Sequence, residues 1–122
     1  MTRGARSVLI VDDHAPFRDA ARVLLEGKGF EVVGESEDVA GALAAAERLQ
    51  PSIVLLDIGL PDGDGFEVAE RLASSDDPPI VILVSSREVA WYRRRLAVSP
   101  ARGFIAKGDL SGDAVEALVG GD

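Results

Sequence analysis

At 122 residues, 47% of them hydrophobic and 28% charged, the chain reads as one soluble globular domain that buries about 65–70% of its unfolded surface. The formal net charge of −8 excludes a nucleic-acid groove on this domain, because phosphate neutralisation needs clustered Lys and Arg. No apolar run approaches the roughly 20 residues that cross a bilayer, and the lack of cysteine excludes disulfides, thiolate zinc sites and thiol nucleophiles.

In chain order, residues 1–6 carry two arginines, but the apolar run behind them, residues 8–11, stops at Asp12 and Asp13. That run is too short for a signal-peptide core, which implies a cytoplasmic location. It is also the first of five short Val- and Ile-rich runs, the others being residues 31–34, 53–56, 80–84 and 103–106. Mostly lacking polar alternation, they read as strands covered on both faces. Between the first two, Phe17, Ala20, Ala21, Leu24 and Leu25 form one helical stripe that ends at Gly27 and Gly29. His14, opening that helix, reads as a capping or surface residue. A second helix carries Val39, Leu43, Ala46 and Leu49 and ends before Pro51. The third starts near Gly65, uses Phe66, Ala69, Leu72 and Ala73, and stops in "SSDDPP". The "PDGDG" loop before it fails the calcium-loop pattern, since Phe66 stands where an oxygen ligand is needed. Residues 87–97 form a less regular fourth helix, and Ala114, Val115, Leu118 and Val119 mark a fifth before Gly120 and Gly121. Such alternation predicts an α/β fold, a single-domain doubly wound five-stranded parallel sheet with helices on both faces.

In open sheets of this kind the functional crevice lies at the carboxyl ends of the strands. Asp12 and Asp13 follow the first strand, Asp57 the third, Ser85 and Ser86 the fourth, and Lys107 the fifth. With strand order 2-1-3-4-5, three carboxylates, a hydroxyl and an ammonium converge on one rim. Carboxylates so crowded repel by about 4 kcal/mol per pair at roughly 4 Å and an effective dielectric near 20, so they call for a cation. Oxygen ligands suit Mg2+. Such a set neutralises a phosphoryl group in transfer, with Asp57 as the nucleophile that forms an aspartyl phosphate.

Four motifs now stand in order: "VDDH" at residues 11–14, "LLDIGLPDGDGFE" at 55–67, "VILVSS" at 81–86 and "GFIAKG" at 103–108. On these the chain resembles the receiver domains of bacterial two-component response regulators, over nearly all of its length. The resemblance implies a receiver across residues 1–122, with a core at about 7–119 and a flavodoxin-like order 2-1-3-4-5. It implies that Asp57 accepts a phosphoryl group from a phosphohistidine of a sensor histidine kinase. Asp13, Asp57 and the backbone carbonyl of Gly59 would ligate Mg2+, with Asp12 acting largely through bound water. Lys107 would pair with one phosphoryl oxygen and Ser85 would hydrogen-bond another. Phe104 matches the switch aromatic that turns inward as Ser85 moves, shifting the population of the face formed by the fourth helix, fifth strand and fifth helix.

Three departures from the family pattern stand out. Gly108 replaces the frequent proline after the lysine, so a cis peptide is not implied. Ser86 stands where a small alanine is common, and Phe104 lacks the hydroxyl of the tyrosine found in many relatives. In "WYRRRLAVSPARG", Arg93 to Arg95 read as a solvated helix face, with a docking surface that includes Trp91 as the alternative.

Three functions compete. The preferred one is a stand-alone receiver, not an enzyme beyond assisting its own phosphorylation and dephosphorylation, that acts through a partner protein without touching nucleic acid or membrane. Only residues 108–122 follow the lysine, enough for one short helix. The alternative is the receiver of a DNA-binding transcriptional regulator of the LuxR type, which "VDDHAPFR" resembles. A remote third is a small aspartate-nucleophile phosphatase like those of the haloacid dehalogenase fold, disfavoured because Gly59 stands where a second acid is needed. The cognate kinase, the downstream target and a phosphorylation-dependent homodimer are left open.

Overall fold

The computed structural model describes residues 6–120, so the sequence readings that involve residues 1–5 and Gly121 lie outside the described residues. The elements run β1 (Ser7–Val11), α1 (Ala15–Gly27), β2 (Glu31–Ser36), α2 (Val39–Leu49), β3 (Ile53–Asp57), a hairpin of β4 (Gly59–Leu60) and β5 (Gly63–Asp64), α3 (Gly65–Ala73), β6 (Ile80–Ser85), α4 (Arg93–Val98), β7 (Gly103–Ala106) and α5 (Gly112–Val119). The five long strands form one parallel sheet in the order β2-β1-β3-β6-β7, which is the expected 2-1-3-4-5 once the short hairpin is set aside.

Alternation along each strand divides the core into two layers. Leu9, Val11, Val54, Leu56, Val81 and Leu83 face α2 and α3. Val8, Ile10, Ile53, Leu55, Ile82 and Val84 face the opposite way, onto Ala21 and Leu25 of α1 and Val115 of α5. Every residue of β1 and β3 is buried, which is why these runs carry no polar alternation. Among the described residues no helix is long and apolar enough to cross a membrane.

Helix starts follow local capping chemistry. Asp38 accepts from the Gly41 amide at 2.7 Å, Asp64 from Glu67 at 3.0 Å and Ser111 from Ala114 at 3.0 Å, each satisfying a first-turn donor. A second cap on α2 comes from across the chain: the Asp62 carboxylate, in the turn between β4 and β5, accepts from Val39 at 2.7 Å and Ala40 at 3.2 Å. These bonds, that from Val39 first, hold the Asp62 carboxyl below the usual aspartate range. The "PDGDG" loop thus locks the start of α2 and leads into α3. Replacing Asp62 with alanine is expected to speed hydrogen exchange at the Val39 and Ala40 amides while leaving that of β3 unchanged.

Two expectations are modified. Ala20 and Leu24 of the α1 stripe are exposed, because the face that meets the sheet centres on Ala21 and Leu25. The fourth helix is a 3-10 turn, Val89–Tyr92, followed by a short α4. The break falls at Tyr92, whose backbone leaves the helical basin (φ −121°, ψ 11°) as its side chain turns toward β6.

Candidate functional site

The chain crosses from one face of the sheet to the other between β1 and β3, and the carboxyl ends of these strands carry Asp12 and Asp57. Such a switch point opens a crevice that side chains of neighbouring strands can reach. Asp12 is fully buried and Asp57 is 5% exposed. Lys107, just past β7, spans the gap: its Nζ lies 2.6 Å from Asp12 Oδ2 and 3.5 Å from Asp57 Oδ2. The ammonium therefore meets part of the repulsion that the sequence alone assigns to a metal. It also sits 4.6 Å from the centre of the Phe17 ring, a cation–π contact that fixes its approach.

Burial is the largest cause of a raised Asp57 pKa, and the charge of Asp12 adds to it; Lys107 and the Gly59 amide, 3.3 Å from Asp57 Oδ1, act the other way. Asp12 divides its two oxygens. Oδ1 accepts the His14 amide at 2.8 Å, a turn bond just before α1. Among the described residues Oδ2 accepts no hydrogen bond of good geometry, and the Lys107 ammonium stands opposite it. Asp13 is exposed beside His14, whose Nδ1 is 3.2 Å from its Oδ1. Ligand atoms of Asp12, Asp13 and His14 lie within 4.8 Å of one another. A charged buried oxygen short of donors, next to further carboxylates and no sulfur, fits a hard divalent cation.

The close fit around Asp57 extends to its backbone. The Gly65 amide donates to the Ile58 carbonyl at 2.7 Å, and a Cβ at Gly65 would stand 2.5 Å from the Asp57 carbonyl oxygen. Only glycine lets α3 begin so near the end of β3.

Ser85, 5% exposed at the end of β6, accepts the Arg87 amide at 3.0 Å and shares a hydrogen bond with the Tyr92 hydroxyl at 3.0 Å. Ser86 is exposed. Phe104, half-buried on β7, has its ring 5.9 Å from that of Tyr92, which in turn is 5.8 Å from Phe66. No cis peptide is present among the described residues. Arg95 does more than face solvent: it pairs with Asp64 at 2.9 Å and lies 4.2 Å over the Phe66 ring. Burial pushes the Asp64 carboxyl up, but Arg95 and the Glu67 amide outweigh it and hold the group below its usual range.

Sequence reasoning passes over two neighbours of the site. Tyr92, the single tyrosine, lies between the Trp and the arginines that drew notice. Arg18 donates to the Asp12 carbonyl at 2.6 Å and to Glu35 at 2.9 Å, while Arg22 also bonds Glu35, at 2.7 Å. The one available signal was the pair of arginines four apart on one helix face. Arg22 foremost, with Arg18, holds the Glu35 carboxyl below the usual glutamate range despite its burial. Glu35→Gln is expected to cost about 1 kcal/mol at neutral pH. Because the folded pKa is depressed, this stability is fully present above the ordinary value near 4.3 and is lost as pH falls through the folded value. Urea unfolding of both proteins at neutral and low pH checks it: the gap should close in acid.

The model of the response regulator receiver domain matches residues 8–118. The chain belongs to this family. Over 100 residues, 82% of this chain and 48% of the other, the receiver is 43% identical to the virulence-factor positive transcription regulator BvgA of Bordetella pertussis. It is 30% identical over 112 residues to the DNA-binding transcriptional activator EvgA of Escherichia coli, covering 92% of this chain and 55% of that one. The receiver therefore spans about half the length of these curated relatives. Among solved structures, the signal receiver domain of the response regulator NarL from Mycobacterium tuberculosis superposes with a TM-score of 0.82 at 34% identity, covering 95% of this chain and 97% of that one. The parallel sheet and its strand order match such flavodoxin-like receivers.

Proposed function

We propose that this receiver takes a phosphoryl group from a sensor histidine kinase onto Asp57 and uses it to change a partner-binding face. The observation that carries the reading is the buried pairing of Asp57 and Asp12 through one ammonium at the end of the central strands. In the transfer, an Asp57 carboxylate oxygen forms the new bond to phosphorus as the bond from phosphorus to the histidine nitrogen breaks. The electron pair returns to the imidazole. Lys107 is held against both carboxylates, so its charge is already placed for a phosphoryl oxygen on Asp57 and needs no reorganisation. Burial keeps water away from the new acyl phosphate.

Asp12, Asp13, Asp57 and the Gly59 carbonyl are the residues that would hold Mg2+. When bound, the ion supplies a Lewis acid for the phosphoryl oxygens and balances the clustered charge. Ser85 then offers its hydroxyl to a phosphoryl oxygen, and Phe104 lies in the layer that repacks. The chain assists only its own phosphorylation and dephosphorylation, in the cytoplasm.

The relatives bear on what the switch controls. BvgA and EvgA are described as transcription regulators, and each is about twice as long as the matched segment. Their kinship favours a DNA-binding output domain of the LuxR type over the stand-alone action preferred from sequence. The reading frame beyond Asp122 decides between the two. The phosphorylation itself is tested by incubation with acetyl phosphate and Mg2+ followed by intact-mass measurement, since a phosphatase would instead turn over phosphate esters without retaining an adduct.

A further inference from the structure

Ser85 is a buried hydroxyl with two recorded neighbours, and their chemistry fixes what each does. The Arg87 amide can only donate, so it occupies one lone pair of the Ser85 oxygen. The serine proton still needs an acceptor, because a buried hydroxyl without one is costly. The oxygen of Tyr92, 3.0 Å away, is placed to accept it; at this geometry either hydroxyl can be the donor, and with Ser85 donating the proton of the half-buried tyrosine is left for solvent. A serine has one proton to give. While it goes to Tyr92 it is not available to a phosphoryl oxygen on Asp57.

Tyr92 is also mechanically placed to report on that choice. Its ring sits between Phe66 of α3 and Phe104 of β7, at 5.8 and 5.9 Å, and its backbone is the capping residue from which α4 starts. Phe104 has no hydroxyl and cannot bond Ser85 itself. In this chain the polar link from the site to the responsive face runs through an aromatic at the start of α4.

We infer that Tyr92 is a positioning residue which, in the unphosphorylated protein, holds the Ser85 hydroxyl out of use and is released when Ser85 turns its proton to a phosphoryl group, freeing the start of α4. The inference rests on Asp57 being the phosphoacceptor. It is distinct from that reading, since the serine–tyrosine bond exists without any adduct.

The chain has a single tyrosine, so protein labelled at tyrosine Cζ gives one NMR resonance that senses bonding at the phenol oxygen. In unphosphorylated protein, Ser85→Ala is expected to shift that resonance. Adding acetyl phosphate and Mg2+ to the wild type should move it in the same direction, in proportion to the adduct seen by intact mass. Tyr92→Phe should gain the adduct roughly two- to tenfold faster, the effect of releasing one neutral hydrogen bond. If Ser85→Ala leaves the resonance in place, the bond is absent and the inference fails whatever Asp57 does. An adduct that forms without moving the resonance, or an unchanged or slower rate in Tyr92→Phe, overturns the switch and leaves the Asp57 reading standing. Absence of any adduct overturns the Asp57 reading and the switch together, while the Ser85→Ala comparison still decides whether the bond exists.

Discussion

Lys107→Met is expected to lower the unfolding free energy in Mg2+-free buffer by about 3–5 kcal/mol, because it strips the shared cation from two buried carboxylates. Asp12 has no exposed surface, and the lysine side chain is itself only 16% exposed, so solvent does little to screen the loss. Methionine keeps the apolar stem against Phe17 and removes the charge. The deficit should shrink in acid, where Asp57, its pKa raised first by burial, takes up a proton and no longer needs a counter-ion. It should also shrink on adding Mg2+, since a divalent ion would meet the same charges. Denaturant unfolding of the two proteins, with and without Mg2+, measures all three effects. A variant as stable as the wild type at neutral pH would mean that the ammonium is not the principal partner of Asp12.

Asp57→Asn is expected to act in opposite directions on stability and function. Burial first, then the charge of Asp12, raises the Asp57 pKa in the folded protein. A carboxyl with a raised folded pKa binds its proton more tightly folded than unfolded, so stability falls as pH climbs from the ordinary value near 3.9 to the folded value. Above that window the ionised group is a constant burden. Asparagine removes it, for an expected gain of about 1–3 kcal/mol at neutral pH that vanishes in strong acid. The same substitution leaves Asp12 with the whole of the lysine charge. Phosphoryl acceptance should be lost completely, since an amide nitrogen or oxygen in place of the carboxylate is a poor nucleophile. A variant that is less stable than the wild type would place Asp57 among structural ion pairs instead.

The parts of this architecture legible in the sequence are those dictated by local pattern. Residues 53–57 are buried on both faces, so their hydrophobic run announces a central strand, and the aspartate that ends it stands out. Lys107 and Asp12 were visible for the same reason: each is the first polar group after a strand. What stayed hidden depends on where side chains from distant elements point. Asp62 caps a helix that begins 23 positions earlier, and nothing in "PDGDG" announces that contact. Tyr92 is found by the end of β6 only once the fourth helix breaks to let it turn, and its neighbours gave a helical period without a clean stripe. Arg95 read as one of three solvated arginines, yet the fold sets Asp64 and the Phe66 ring within its reach. The pairing of Asp12 with Lys107 shows the same limit. The sequence placed both on one rim and assigned the repulsion there to a metal, whereas the side chains show that the protein's own ammonium meets part of it.

The most direct measurement is the intact mass of the wild type and Asp57→Asn before and after incubation with acetyl phosphate and Mg2+, with acid treatment of one portion and peptide mapping of a second, untreated portion. The expected result is one acid-labile phosphoryl group on the wild type, mapped to the peptide that contains Asp57 and absent from the variant. An adduct that persists in Asp57→Asn, or none in either protein, would contradict the account.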